Sequence, residues 1–182
     1  MAYDVLAESR RLIADGLPDG PVRLSRRHRF APVAVDVDGD IACTRFVRRG
    51  VGCFWDDTHL LIRDGPDWMY RGGGGAGSGG PWSAEAFEAA RDEVGPDQLR
   101  ADGGASVRID ADGWLPWKGR WLRVTELLAG RRVAEVLVDD RRRLAVPPHG
   151  HLVVVWASHR APRVSARDAA GRELTGFTVP RT

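Results

Sequence analysis

His149 and His151, separated only by Gly150, are the closest pair of histidines in the chain. On extended backbone both imidazoles fall on one face. With Cys43 and Cys53, or with His159, they could make a zinc site of nitrogen and sulfur ligands. The usual Cys-x-x-Cys and His-x-x-x-His spacings are absent, however, and Pro148 and Gly150 place the two histidines in a turn that faces solvent. Asp36-Val37-Asp38-Gly39-Asp40 offers three carboxylates for a hard cation, as at the opening of a calcium loop. Such a loop needs a bidentate acid at its twelfth position, where this chain has Val47. Alternation on a strand sends these acids to one face, with Asp38-Gly39 turning a hairpin. Asp110-Ala111-Asp112-Gly113 repeats the theme as a second hairpin tip. The expectation is a protein with no metal and no other cofactor.

Gly72 to Gly80, broken only by Ala76 and Ser78, invites comparison with a phosphate-binding loop. The Gly-Lys-Ser/Thr element and any nearby lysine are missing. Glycine loses the most backbone entropy on ordering, so the tract reads as a flexible, mobile connector. No Gly-x-Ser-x-Gly elbow is present. Cys43 and Cys53 lie on adjacent predicted strands. They face each other if the turn centres near Arg48 and are offset if Arg49-Gly50 makes it. Both read as small, unactivated thiols. The basic runs Arg23, Arg26, Arg27, His28, Arg29 and Arg141-Arg142-Arg143 read as a solvated strand edge and a hairpin turn rather than a phosphate-binding face.

The strongest candidates for recognition are aromatic. Trp114, Trp117 and Trp121 crowd a turn-rich stretch around Pro116 and Gly119. Tryptophan buries a large area with a polar tip and is enriched at interface hot spots. This cluster reads equally well as core packing or as a protein-binding surface.

The elements that must position these residues are mostly short strands. Residues 3–14 read as a helix, with Val5, Leu6, Leu12 and Ile13 near one face and Glu8, Arg10 and Arg11 away from it. A meander of four or five strands follows, from Val33 to Tyr70. Ser83 caps a short helix from Ala84 to about Val94, stopped by Gly95-Pro96. Strands are expected at 105–110, 119–125, 132–139, 142–147, 151–157, 162–168 and 173–179. His151–Ala157 is an apolar, β-branched run suited to a strand buried on both faces. Val136, Val138, Val154, Trp156 and Val164 should share one core.

The fold class is therefore mainly β: an antiparallel β-sandwich or meander with an N-terminal helix and one short internal helix. The C-terminal half resembles immunoglobulin-like sandwiches in strand rhythm only, without their Cys…Trp…Cys framework. The division reads as 1–71 (helix and meander), 72–104 (glycine-rich connector and short helix) and 105–182 (C-terminal sandwich), with the two β regions free to form one domain.

Of 27 basic residues only Lys118 is lysine, and asparagine is absent, the bias of a high-GC bacterial genome. A net charge of +2 gives little attraction to a polyanion, which speaks against nucleic acid as a partner. No stretch approaches the roughly 18 apolar residues of a membrane helix, and the N-terminus lacks the pattern of a secretory signal. A cytoplasmic location follows, where both cysteines stay reduced. The functional expectation is a non-enzymatic protein-interaction or regulatory module with another protein as partner. The alternative is a small-ligand-binding protein or enzyme with a pocket between the two β regions.

Overall fold

The computed structural model describes residues 3–109 and 120–180. These residues are mainly β, in three antiparallel sheets. The first is a meander of β1 (Phe30–Asp38), β2 (Ile41–Arg49), β3 (Phe54–Asp64) and β4 (Asp67–Gly77), each strand paired with the next. The second contains β5 (Leu99–Arg108), β6 (Trp121–Ala129) and β9 (His151–Trp156), with β6 in the middle. The third has the order β11-β10-β7-β8, from β7 (Glu135–Val138), β8 (Arg142–Ala145), β10 (Arg163–Arg167) and β11 (Glu173–Thr178).

The second sheet is the middle layer because its side chains are apolar on both faces. Leu122, Val124, Val153 and Val155 pack toward Val33, Ile41, Cys43, Val47 and Leu60 of the first sheet. Leu127, Leu152, Val154 and Trp156 pack toward Val136, Val138, Val164 and Ala166 of the third. Every residue of β9 is buried, as expected for a run without polar alternation. The five residues expected to share a core do so.

A strand at the edge of a sheet leaves its outward N–H and C=O groups unpaired, and β9 is such an edge. At Val155 two side chains take the place of the missing neighbour. Asp36 of β1 accepts from the Val155 N–H at 2.8 Å, and Arg142 of β8 donates to the Val155 carbonyl at 3.0 Å. Arg142 also lies 3.0 Å from Asp36 and 2.7 Å from Asp38. One buried ion pair thus joins all three sheets. The acids of residues 36–38 do share a face, and what they meet there is the 141–143 basic run: Arg141 pairs with Asp38 as well.

The helices are held in different ways. Asp4 caps α1 (Val5–Asp15) by accepting from the amides of Leu6 and Ala7. Leu6 and Ile13 pack on Ala42, Leu61 and Trp68, on the outer face of the first sheet. Ser9 bonds Thr44 at 2.8 Å, and Glu8, expected on the solvent side, is buried beside it. The internal helix α2 (Ala84–Ala89) continues as a 3-10 turn, Ala90–Glu93. Arg91 from that turn donates to the carbonyls of Ala129, Gly130 and Pro148, which stitches the ends of β6 and β9 together. Gly150 allows this approach. Its φ is +78°, and a Cβ there would lie 2.5 Å from the Arg91 side chain.

The glycine tract departs from expectation. Gly72–Gly77 completes β4 and pairs with residues 55–60 of β3, so this part is a strand rather than a connector. The ladder to β3 supplies the hydrogen bonds that overcome glycine's entropy. Among the described residues no helix is long and apolar enough to cross a membrane.

The clamp at Val155 is testable by a double-mutant cycle in urea. Arg142→Met leaves the buried Asp36 carboxylate without its nearest cation and should cost about 3–5 kcal/mol at neutral pH. Adding Asp36→Asn should recover part of that loss, because the amide oxygen still accepts from Val155 without carrying charge. Additive losses would show that the two side chains do not act as a pair.

Candidate functional site

Strand β3 carries polar residues on both faces at its centre, and the two faces serve different ends. Asp56 and Thr58 point inward. Arg45 of β2 donates to Asp56 through Nε and Nη2, at 2.8 and 2.7 Å. The Glu126 carboxylate of β6 lies 3.5 Å from the same guanidinium and accepts from the Thr58 hydroxyl at 2.7 Å. Burial would pull the Arg45 pKa down, but the bonds to Asp56 and the charge of Glu126 outweigh it and keep the guanidinium charged. This cluster is a paired, structural tie between the first and second sheets.

His149 and His151 sit at the edge of this interior. They are 3% and 5% exposed, not solvent-facing as the turn residues implied. The reason is α2, whose Phe87 stacks on His151 with ring centroids 4.2 Å apart. The Nδ1 of His149 accepts from the His151 amide at 3.2 Å, which fixes His149 as the Nε2–H tautomer. Neither ring nitrogen of His151 reaches a partner in hydrogen-bonding geometry. Burial, His151 and the charges of Arg45 and Arg91 push His149 down to about 3. Burial and Arg45 push His151 down to about 4, against a weaker opposing pull from the carboxylates of Asp56 and Asp102. Both rings are therefore neutral hydrophobic packing at neutral pH. Among the described residues no group of three or more His, Cys, Asp or Glu is arranged to hold a metal. Cys43 is buried opposite Leu60, whereas Cys53 lies in the bend after β2, so the register separates the two free thiols.

The outward face of β3 is different. Asp57 and His59 project there beside Arg48 of β2, and Trp55 and Tyr70 stand at the two ends. Together with Gly73–Gly75 of β4 they line an open groove of about 490 Å³. Arg48 donates through Nε to Asp57 at 3.0 Å. Its guanidinium carbon lies 5.7 Å from the Tyr3 ring and 5.9 Å from the Trp55 ring, so aromatic faces hold it from two directions. Tyr3 Oη is 2.8 Å from His59 Nε2, and the His59 ring meets Tyr70 edge-on at 5.8 Å. Burial and Asp57 raise the Tyr3 pKa, and burial lowers that of His59, so neither group ionises near neutrality. Trp55 and Tyr70 remain 40% and 47% exposed, and fully exposed Val51 caps the bend beside Trp55.

Glycine is required in the groove floor. A Cβ at Gly73 would fall 1.9 Å from the Thr58 carbonyl oxygen, and one at Gly75 would fall 2.6 Å from Asp57 Oδ1. The tract thus lets β4 lie against β3 with a bare surface between two aromatic walls. A separate cleft of about 370 Å³ is walled by Pro18, Pro21, Pro32, Pro147 and Pro148 together with Phe30, His28 and the neutral His149.

Of the tryptophans singled out by spacing, Trp114 and Trp117 lie outside the described residues. Trp121 begins β6 and is 38% exposed, with the Arg123 guanidinium 5.7 Å from its ring. Of the groove residues, Trp55 reads from the sequence as aromatic core, which its 40% exposure overturns, and Arg48, Asp57, His59 and Tyr70 escaped sequence reasoning. The available signal was the polar run Asp56-Asp57-Thr58-His59 ahead of apolar Leu60-Leu61-Ile62, in a strand whose register partner is the glycine tract. Comparison of the chain with protein families, curated proteins and solved structures returned no match.

Two measurements follow from this geometry. Gly73→Ala should lower Tm by about 3 °C or more, since overpacking typically costs ~1–3 kcal/mol. Gly79→Ala, where a Cβ meets nothing within 4 Å, should leave Tm unchanged. Equal effects would mean that the floor is not close-packed. The buried histidines also set a pH dependence. Their ordinary pKa is 6.5, so below that value the unfolded chain takes up protons that the folded protein refuses, and stability falls as pH drops toward 4. Asp36 acts in the opposite sense. Burial raises it from 3.8 to about 6, so within that window acidification favours the folded state. With His149, His151 and the likewise lowered His59 against one raised carboxyl, Tm should fall from pH 7 to pH 5, and the fall should shrink in His151→Phe. An unchanged pH slope in that variant would show that His151 does not titrate as its burial requires.

Proposed function

We propose that this chain is a non-enzymatic recognition or regulatory module that binds another protein through exposed aromatic side chains, chiefly Trp55 and Tyr70. The observation that carries this reading is the groove itself: large aromatics left open to solvent on either side of a floor in which Gly73 and Gly75 leave no room for a side chain. Aromatic rings exposed at this level, beside an arginine held by its own neighbours, are the usual composition of an interface hot spot. The ionisable groups lend support from the other direction. Asp36, Arg45, Asp56 and Glu126 are engaged in pairs that hold sheets together.

A small-ligand pocket between the two β regions finds less support, because apolar side chains from both sheets fill that space. Trp121, on the second sheet, is a separate exposed aromatic that is not part of the groove lining, and it stays in the proposal with Trp114 and Trp117 through its place in the chain. The arginine-rich composition and the two free thiols favour action in a bacterial cytoplasm.

Affinity capture with single alanine variants tests the reading. Trp55→Ala or Tyr70→Ala should weaken binding by roughly 2 kcal/mol, about thirty-fold, with the melting curve retained. Trp121→Ala should have a smaller effect. Normal capture by the Trp55, Tyr70 and Trp121 variants alike would remove the basis for the proposal.

A further inference from the structure

We infer that the β3–β4 groove takes a proline-rich segment in the polyproline II conformation, a proposal that rests on this groove being the recognition surface. The groove lies on the face of a sheet, not along an edge. The backbone groups of β3 beneath it are already paired with β2 on one side and β4 on the other. An ordinary extended peptide laid across such a face finds no ladder and leaves its amide N–H groups without partners. Proline has no N–H to satisfy, and its conformation carries no internal hydrogen bonds that binding would disturb.

The polar groups of the groove match that chemistry. Arg48 uses Nε on Asp57, and its Nη1 and Nη2 make no hydrogen bond among the described residues. The Tyr70 hydroxyl and the Trp55 indole N–H, which lies beside Gly50 at the bend, have no hydrogen-bond partner among the described residues. These groups donate, and a proline-rich chain offers carbonyl acceptors. Asp57 is the one carboxylate in the groove, and its charge is already met by Arg48, so the groove as a whole suits an uncharged segment.

The dimensions agree as well. Trp55 lies on β3 six positions before Leu61, the register partner of Tyr70. That separation is about 20 Å at the rise of a β-strand. Six or seven residues of polyproline II cover the same span at about 3.1 Å each. Trp55 and Tyr70 then act as platforms for proline rings at each end, and the bare Gly73–Gly75 floor lets the chain lie flat between them. Preformed polyproline II loses little entropy on docking, which suits an open groove with few contacts.

The test is an NMR titration of the full-length, isotope-labelled chain with three probes: decaproline, a Gly-Ser decapeptide and cellohexaose. Decaproline should shift the Trp55 indole N–H and the Gly73–Gly75 amides saturably, and the other two should not. Trp55→Ala should weaken decaproline binding at least ten-fold with the spectrum otherwise intact. Trp55→Phe, which keeps a ring and loses the donor, should weaken it less. Absence of saturable shifts with decaproline, shifts on another surface, equal binding of the Gly-Ser peptide, or binding of cellohexaose in its place would each overturn the proposal. Capture of the native partner by the Trp55→Ala variant separates the two readings. If decaproline fails but capture still drops, the recognition surface stands and its proline-rich occupant falls. If capture is also normal, both fall.

Discussion

The structure depends on how the open edge of β9 is closed. The strand is apolar on both faces and so must lie between two other layers, yet among the described residues no strand is hydrogen-bonded to its outer edge. Asp36 and Arg142 supply an acceptor and a donor at Val155, and they come from sheets on opposite sides of it. A carboxylate buried this deeply is costly unless it is paired and bonded. Here it is both, and the arrangement brings β1 and β8 into register with β9. The burial that raises the Asp36 pKa to about 6 is the same burial that makes the clamp specific.

A middle layer anchored in this way leaves the outer face of the first sheet available for other work. The inward side of β3 is occupied by Asp56 and Thr58, tied to Arg45 and Glu126. The outward side is covered at one end by α1, through Leu6, Ile13 and the Ser9–Thr44 bond. The helix covers only part of that face. Tyr3, just before it, reaches His59 and closes one side of the groove, and Trp55 and Tyr70 stay open beyond it. The glycines of β4 then have a mechanical explanation. They are the residues that fit against Thr58 and Asp57 without forcing the two strands apart.

The two paired clusters also show why ionisable residues can be a poor guide to function. His149-Gly150-His151, the acids at 36–38 and the arginines at 141–143 are the features most suggestive of chemistry in the chain. Two histidines became neutral packing under Phe87, and the acids and arginines became partners of each other. In each case removal from water is paid by packing or pairing. The groups left facing solvent in the groove are mostly aromatic.

Much of the architecture was legible from local pattern. The apolar run 151–157, the hairpin at Asp38-Gly39, the two helices and the C-terminal strands depend on periodicity and turn chemistry, although β5 starts at Leu99, well before the expected 105. These act over a few residues and are written directly in the sequence. So was the shared core of Val136, Val138, Val154, Trp156 and Val164, since burial on both faces follows from the absence of polar alternation. Which face met which was not legible. That the acids at 36–38 would meet Arg141 and Arg142 more than a hundred residues away, or that α2 would roof the histidines, depends on how sheets stack, and stacking leaves no local signature. The glycine tract was misjudged for the same reason. Glycine's own preference is disorder, and only pairing with β3 made it a strand. The groove needed all of these at once: β2, β3 and β4 in register, α1 stopping short, and glycine where a side chain would collide. Such a site belongs to the tertiary structure, because its residues become neighbours only after the sheet has formed.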